Sequence, residues 1–213
     1  MADVTIIGAG KMARGIATRF FAGGTSLQIL APTAEHAISL ANGVGKGAET
    51  VMGAGVQEPL SGAVVVLAVP YEAALDFASS RSGELTGKVL VDITNPVDWA
   101  SFDRLVTPAD SSAAEEIAKR APGARVVKAF NTTFAATVQA GTVAGQQLDV
   151  LLAGDDEDAK ARVAGLVTAG GLRAIEVGPL RRAHQLEQLG FLHMALQEKL
   201  GSNHGSTIKI ITP

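Results

Sequence analysis

The sequence predicts an α/β fold of the Rossmann type: a doubly wound, mainly parallel sheet with a small C-terminal α/β extension. Three observations predict it. Apolar, β-branched runs recur with helical stretches between them, the alternation of a parallel sheet covered by helices on both faces. A glycine turn, Gly8-Ala9-Gly10-Lys11-Met12-Ala13, joins the first of those runs to the first helical stretch. Composition completes the case, since 47% of residues are hydrophobic, only 4% are aromatic and 24 are glycine, which suits an aliphatic core with many strand-to-helix turns.

Taken in order, strands are expected near 3–7, 27–31, 64–69, 88–93, 125–130, 148–153, 172–177 and 207–211. Helices are expected over 11–22, 33–41, 71–80, 111–120, 132–139, 156–168 and 180–199. The stretch Asn42 to Gly62 is Gly-rich and carries Pro59, leaving room for a weak strand around Glu49-Thr50-Val51. No internal repeat and no Pro/Ser-rich linker divides the chain. The character of the motifs changes near Gly141, so residues 1–140 read as the dinucleotide-binding domain and 141–213 as a small extension closing the cleft for a second substrate.

Length and charge exclude several classes. A chain of 213 residues supports one large domain or one domain with an appendage. Net charge is −3, without a basic run or aromatic-basic interleaving, so a nucleic-acid partner is not expected. The absence of cysteine rules out disulfides, thiolate metal sites and cysteine nucleophiles. The longest wholly apolar run, Ala63 to Pro70, is far shorter than a membrane span, and no charged or apolar leader precedes the first strand. A soluble, cytoplasmic protein with no membrane partner is the expectation.

The glycine turn carries the clearest chemistry. Gly8 permits the tight strand-to-helix turn, Gly10 has no side chain to keep a pyrophosphate from the N–H groups of the helix start, and Ala13 lets helix and strand pack closely. Lys11 and Met12 belong to the same turn. About twenty residues on, NAD-preferring folds place a carboxylate for the ribose 2′-hydroxyl. Here the second strand ends in Ala31, Pro32 and Thr33, with His36 one helical turn further, so NADP is favoured over NAD. Thr33 as a helix N-cap and His36 as a surface histidine are the plainer readings. Ligands of open α/β sheets lie beyond the carboxyl ends of strands, which adds Ala68, Val69 and Pro70, then Asn95 and Pro96, then Ala129 with Phe130 and Asn131. Against this, Phe130 reads equally as core, and Asn131 or Thr132 as a cap of the next helix.

Other groupings read as structural. Asp155-Asp156-Glu157-Asp158 opens a helix and offsets its dipole rather than binding metal. His184 and His193 are nine apart and make no i, i+4 metal pair, so no metal site is expected. Leu186, Leu189, Leu192, Leu196 and Leu200 with Met194 mark a broad apolar helix face, core first and homodimer surface second. From Leu172 onward five basic residues face three acidic ones, +2 against −5 for the rest, which leaves room for an anionic ligand beside Arg181-Arg182. No Ser-His-Asp set, YxxxK pair, paired pocket carboxylates or lone interior lysine announces a general acid, and no catalytic side chain is assigned.

Several motifs converge on a family. Gly8 to Gly15, Leu67-Ala68-Val69-Pro70-Tyr71-Glu72-Ala73, Arg125 to Asn131, Leu151-Leu152-Ala153-Gly154-Asp155-Asp156 and Glu176 to Leu180 through Leu186-Glu187 occur in an order and spacing that resembles the NADPH-dependent coenzyme F420 reductases. The resemblance covers essentially the whole chain. It implies hydride transfer between C4 of the nicotinamide and C5 of a deazaflavin, with both rings in one cleft, a reaction that needs alignment and exclusion of water more than a protein acid. Two departures stand out: Ala31-Pro32-Thr33 and His36 replace that family's Ser-Arg-Arg and later Lys, and Phe130-Asn131-Thr132-Thr133-Phe134 replaces its His-containing turn. The soluble domains of membrane metalloreductases, which pass electrons from NADPH to a flavin, are similar over this latter turn. The opening Gly-Ala-Gly-Lys-Met-Ala also resembles pyrroline-5-carboxylate reductases, whose second domain is all helical, unlike the last seventy residues here. The expected function is therefore hydride exchange between NADP(H) and F420 or a flavin, with reduction of a small imine or carbonyl compound, or a non-catalytic dinucleotide sensor, as alternatives.

Overall fold

The computed structural model describes residues 2–46 and 48–212. Its elements run β1 (Val4–Ile7), α1 (Lys11–Ala22), β2 (Leu27–Ala31), α2 (Ala34–Gly45), β3 (Val51–Gly55), β4 (Val64–Leu67), α3 (Tyr71–Ser80) and a single turn α4 (Ser82–Leu85). There follow β5 (Val89–Asp92), α5 (Ala113–Arg120), β6 (Arg125–Lys128), α6 (Ala135–Ala140), the hairpin β7 (Thr142–Val143) and β8 (Gln146–Gln147), β9 (Asp149–Gly154), α7 (Glu157–Ala169) and β10 (Arg173–Glu176). A 3-10 turn at Leu180–Arg182 then leads into α8 (Ala183–Ala195) and α9 (Gln197–Leu200).

Eight strands form one sheet in the order β10-β9-β6-β5-β4-β1-β2-β3. The six from β3 to β6 are parallel, in the arrangement of a Rossmann sheet, with β1 in register between β2 and β4 (Ile6 opposite both Ile29 and Val66). β9 joins β6 antiparallel through Val127 opposite Gly154 and Lys128 opposite Ala153, and β10 runs parallel to β9. The residues after 140 thus extend the same sheet past a reversal of direction. All residues of β1, β2, β4 and β5 are buried, which is why these strands read as mostly apolar runs, broken only by the buried Thr5, Gln28 and Asp92.

Strand alternation feeds two cores. Val4, Ile6, Ile29 and Val66 pack with Ile16 and Phe20 of α1 and Val163 of α7 on one face. Ile7, Leu30, Leu67 and Leu90 pack with Leu75 and Phe77 of α3 and Ile117 of α5 on the other. The weak strand near Glu49 to Val51 is β3, starting at Val51 on the sheet edge.

The strand expected over 207–211 does not form. That segment is held by side chains instead: buried Asp149 takes the N–H of Ile210 at 2.9 Å and the Lys209 ammonium, while Arg173 donates to the Ile210 carbonyl. The helix expected over 180–199 is broken into the 3-10 turn, α8 and α9. Helices expected from 111 and 132 start at Ala113 and Ala135, and neither Asn131 nor Thr132 caps α6, whose N-cap is Phe134. No described helix is long and apolar enough to cross a membrane.

Candidate functional site

The carboxyl ends of β1, β4, β5 and β6 open onto a cleft with two adjoining lobes. The first, about 660 Å³, is walled by Gly10 to Met12, Ala68 to Glu72, Ile93 to Val97, Trp99 and Val106. The second, about 490 Å³, is walled by Asn131, Phe134, Ala136, Asn203 and His204. Lys11, Met12, Ile93, Asn95 and Met194 line both, so the boundary between the lobes is mainly apolar.

Two glycines of the turn do different work. Gly8 has φ +113°, and a Cβ there would stand 2.3 Å from the Ala68 carbonyl oxygen, so only glycine lets β1 and β4 end this close together. At Gly10 a Cβ would meet nothing within 4 Å: the space belongs to the cleft. Gly10 is the N-cap of α1 without a side-chain cap, and the first turn holds no acidic residue, leaving N–H groups and the positive end of the helix dipole open to an anion. The exposed Lys11 ammonium stands at the same place.

Of the residues singled out from sequence, Gly10, Lys11, Met12, Ala68, Val69, Pro70, Asn95, Pro96 and Asn131 line the cleft. Gly8 and Ala129 are buried and shape it from beneath. Ala31, Pro32, Thr33 and His36 lie outside both lobes at the end of β2, beside the glycine turn, where the Gly8 N–H donates to the Leu30 carbonyl at 2.7 Å. Pro32, Thr33 and His36 are exposed there. Thr33 holds the N-cap position of α2, but its hydroxyl makes no cap hydrogen bond. Asp156 caps α7 by accepting from the Ala159 N–H, and Asp155 accepts from the Leu180 N–H.

Behind the cleft, where β5 ends at Asp92 and β6 at Lys128, lies an ionic hub for which sequence reasoning, in finding no interior lysine, left no place. The Lys128 side chain is 0% exposed and donates to Asp92 Oδ2 at 2.7 Å, Glu187 Oε1 at 2.7 Å and the Thr94 carbonyl at 2.6 Å. Burial works to lower the pKa of this ammonium, but the two carboxylates outweigh it and the net shift is upward. Burial raises the Glu187 carboxyl, opposed by Lys128. Glu187 also accepts the Ala113 N–H at 2.9 Å, and Asp92 accepts the Thr94 N–H at 2.8 Å. One lysine therefore ties together β5, β6, α5, α8 and the Thr94–Pro96 wall. A signal was available, because Asp92 and Lys128 are paired across adjacent buried strands.

α8 closes the site with one face. Glu187 joins the hub, the Leu186 carbonyl and Gly190 meet Asn131, Met194 lines both lobes and His193 anchors the next turn. His193 is sandwiched between two partners. Its Nδ1 lies 3.2 Å from the Thr132 carbonyl and must donate; its Nε2, 2.8 Å from Ser206 Oγ, then accepts the hydroxyl proton. Burial pushes the His193 pKa down, opposed by the Thr132 hydrogen bond. With Phe134 tilted against His193 at 4.6 Å and meeting His204 edge-on at 5.0 Å, this holds residues 202–206 against the second lobe. Tyr71, pushed up to about 12 mainly by burial and by Glu116, stays neutral and is poorly suited to exchange protons.

A family model described as NADP oxidoreductase, coenzyme F420-dependent, matches residues 3–96. The F420-dependent NADP reductase of Methanothermobacter thermautotrophicus is 34% identical over 200 residues, 89% of this chain and 86% of that protein. The metalloreductase STEAP3 of Rattus norvegicus is 29% identical over 186 residues, 87% of this chain, and the match spans 36% of that relative's length. A solved structure of a candidate F420-dependent NADP reductase from Arthrobacter sp. FB24 aligns over 100% of both chains, with a TM-score of 0.82 and 25% identity.

Proposed function

Because the chain belongs to the F420-dependent NADP reductases, we propose that it exchanges a hydride between NADP(H) and a deazaflavin, F420, or a flavin, with both rings held in the two-lobed cleft. The observation that carries this reading is the cleft itself: two adjoining ring-sized lobes meet at Met12, Ile93 and Met194, and one of them begins at an uncapped helix N-terminus. Imine or carbonyl reduction and a non-catalytic sensor are not favoured by these relatives.

When bound, NADPH would supply a hydride from C4 of its nicotinamide and the deazaflavin would take it at C5, with one proton from water. The chain's part is to bind, orient and keep water out. The N–H groups after Gly10 and the Lys11 ammonium are proposed to hold the pyrophosphate. Thr33, with its free hydroxyl, and His36 are proposed to meet the ribose 2′-phosphate beside Ala31 and Pro32. Ala68 to Pro70 and Asn95-Pro96 would wall the nicotinamide ribose. Met12, Ile93 and Met194 would exclude water where the rings meet.

In the same reading, residues 1–140 carry the dinucleotide and 141–213 close the second lobe, since α8 and the turn at Asn203-His204 both face it. The exposed Leu192, Leu196 and Leu200 are assigned to a homodimer contact, and a cytoplasmic setting fits two water-soluble coenzymes. Mixing the protein with NADPH and oxidised F420, and following the nicotinamide and deazaflavin absorbance bands together, tests the proposal. Loss of both bands in step supports it. No change in either band for F420, FMN or FAD, although NADPH binds, would overturn it.

A further inference from the structure

Asn131 is 4% exposed, lines the second lobe, and has a buried Oδ1 with no hydrogen-bond partner in the protein. An acceptor buried in this way has given up its hydration with no hydrogen bond in return. Its neighbours make the feature a built one. Asn131 Nδ2 donates both its protons, to Asn95 Oδ1 at 2.9 Å and to the Leu186 carbonyl at 2.8 Å. A backbone carbonyl can only accept, so the amide cannot be turned round, and the free atom is the oxygen. Asn95 Nδ2 in turn donates to the Asn131 carbonyl at 2.7 Å, which ties the two amides into a pair.

Two further features press on that pair. Phe130 has φ +62°, a strained left-handed conformation for a bulky residue, and it redirects the chain from β6 so that Asn131 reaches Asn95. Gly190, in the middle of α8, lies so close that a Cβ would stand 2.8 Å from both the Asn131 carbonyl oxygen and Asn95 Oδ1. Backbone strain, a helical glycine and two locked amides together fix one unmatched acceptor just behind the lining of the second lobe, where a small shift of the amide pair would present it to a bound ring.

We propose that Asn131 Oδ1 receives the N–H of a planar amide or imide carried by the ring in the second lobe, and that it makes the site selective for rings bearing that group. The inference rests on the hydride-exchange reading and names the chemistry that reading leaves open. The pyrimidinedione imide of a deazaflavin or flavin and the carboxamide of nicotinamide both carry such an N–H. The imide is the expected source, because Asn131 follows β6, two strands beyond the β4 turn proposed to wall the nicotinamide ribose.

The test measures binding through Trp99, the chain's one tryptophan, which lines the first lobe. FMN is compared with its N3-methyl derivative, and NADPH with the reduced 3-acetylpyridine analogue, which carries a methyl ketone in place of the carboxamide. In the native protein N3-methylation should weaken binding about tenfold or more. Asn131→Ala should weaken FMN by a similar factor and leave the N3-methyl compound unchanged, a pattern that a steric clash with the methyl group would not give. A penalty confined to the acetylpyridine arm, and lost in Asn131→Ala, keeps the acceptor role and assigns it to the nicotinamide.

Gly190→Ala serves as a second variant, since its Cβ displaces the amide pair and should shrink the same discrimination. Equal binding of parent and analogue in both arms, or discrimination that survives Asn131→Ala, would overturn the role of Asn131 alone. Failure of both FMN and NADPH to bind would overturn it together with the functional reading.

Discussion

The two ends of the cleft are built on opposite principles. The glycine-turn end is local and made of backbone: consecutive residues from Gly8 to Met12 form it, with exposed N–H groups and no side-chain cap. The α8 end is long-range and made of side chains. Lys128 reaches residues 36 and 59 positions away, and Asn131 reaches a carbonyl 55 positions away. An end that binds phosphate needs open donors and a helix dipole. An end proposed to align a second ring needs rigid walls, and the buried Lys128 hub would supply them.

The largest effect should come from cutting the hub. Lys128→Met leaves Asp92 and Glu187 buried without their cation and should cost about 3–5 kcal/mol of stability in urea titrations. A loss below about 1 kcal/mol would show that the hub does not hold the α8 end together, since that is the range of exposed ion pairs. Because the Lys128 pKa is raised in the folded protein, its contribution is fully present below the unfolded value of 10.5 and is lost as pH rises through the higher folded value. The alkaline decline in melting temperature should therefore be smaller in Lys128→Met than in the native protein, the remainder coming from Tyr71 and Lys160, whose pKa values are also raised.

Next comes the opposite end. Gly10→Val places a side chain in open space, so the fold should keep its stability while NADPH binding falls about 100-fold or more through loss of two or so charge-assisted hydrogen bonds. Calorimetry of binding beside a melting curve separates the two effects. Gly8→Ala should do the reverse and lower stability first, because of its φ and the Ala68 carbonyl.

A smaller effect is expected on acidification. His193 has a depressed folded pKa, so its contribution is present above the unfolded value of 6.5 and is lost as pH falls through the folded one. In that window hydrogen exchange should rise in residues 202–206 while β1 and α1 stay protected; uniform exchange across both ends would contradict the assignment. The smallest effect is at the exposed end of β2, where His36→Ala should weaken NADPH roughly threefold and NADH less, in keeping with solvent-screened charge contacts. Equal losses for both dinucleotides would return His36 to the surface.

What could be read in the sequence follows the same division. The central parallel strands were legible because burial on both faces makes them mostly apolar runs, and the glycine turn because its chemistry is consecutive. The 207–211 segment misled for a physical reason. Its alternating β-branched residues suit a strand, yet it is fixed by Asp149, Arg173 and Lys209 side chains with no ladder. Lys128 and Glu187 stood inside quoted motifs, but their meeting depends on packing of α8 against the sheet, which no local pattern encodes. Gly190 is silent in sequence for the same cause, since its lack of a side chain matters only because the Asn95–Asn131 pair lies against it.

If the two lobes hold two coenzymes as proposed, a hydride passes directly from one ring to the other. Single turnover with NADPH deuterated at C4, on each face in turn, against oxidised F420 in ordinary water tests it, because a C5–H bond does not exchange with solvent. Direct transfer should leave the deuterium of one face quantitatively at C5 of the reduced deazaflavin. Deuterium lost to water, or left in NADPH while F420 stays oxidised, would contradict it.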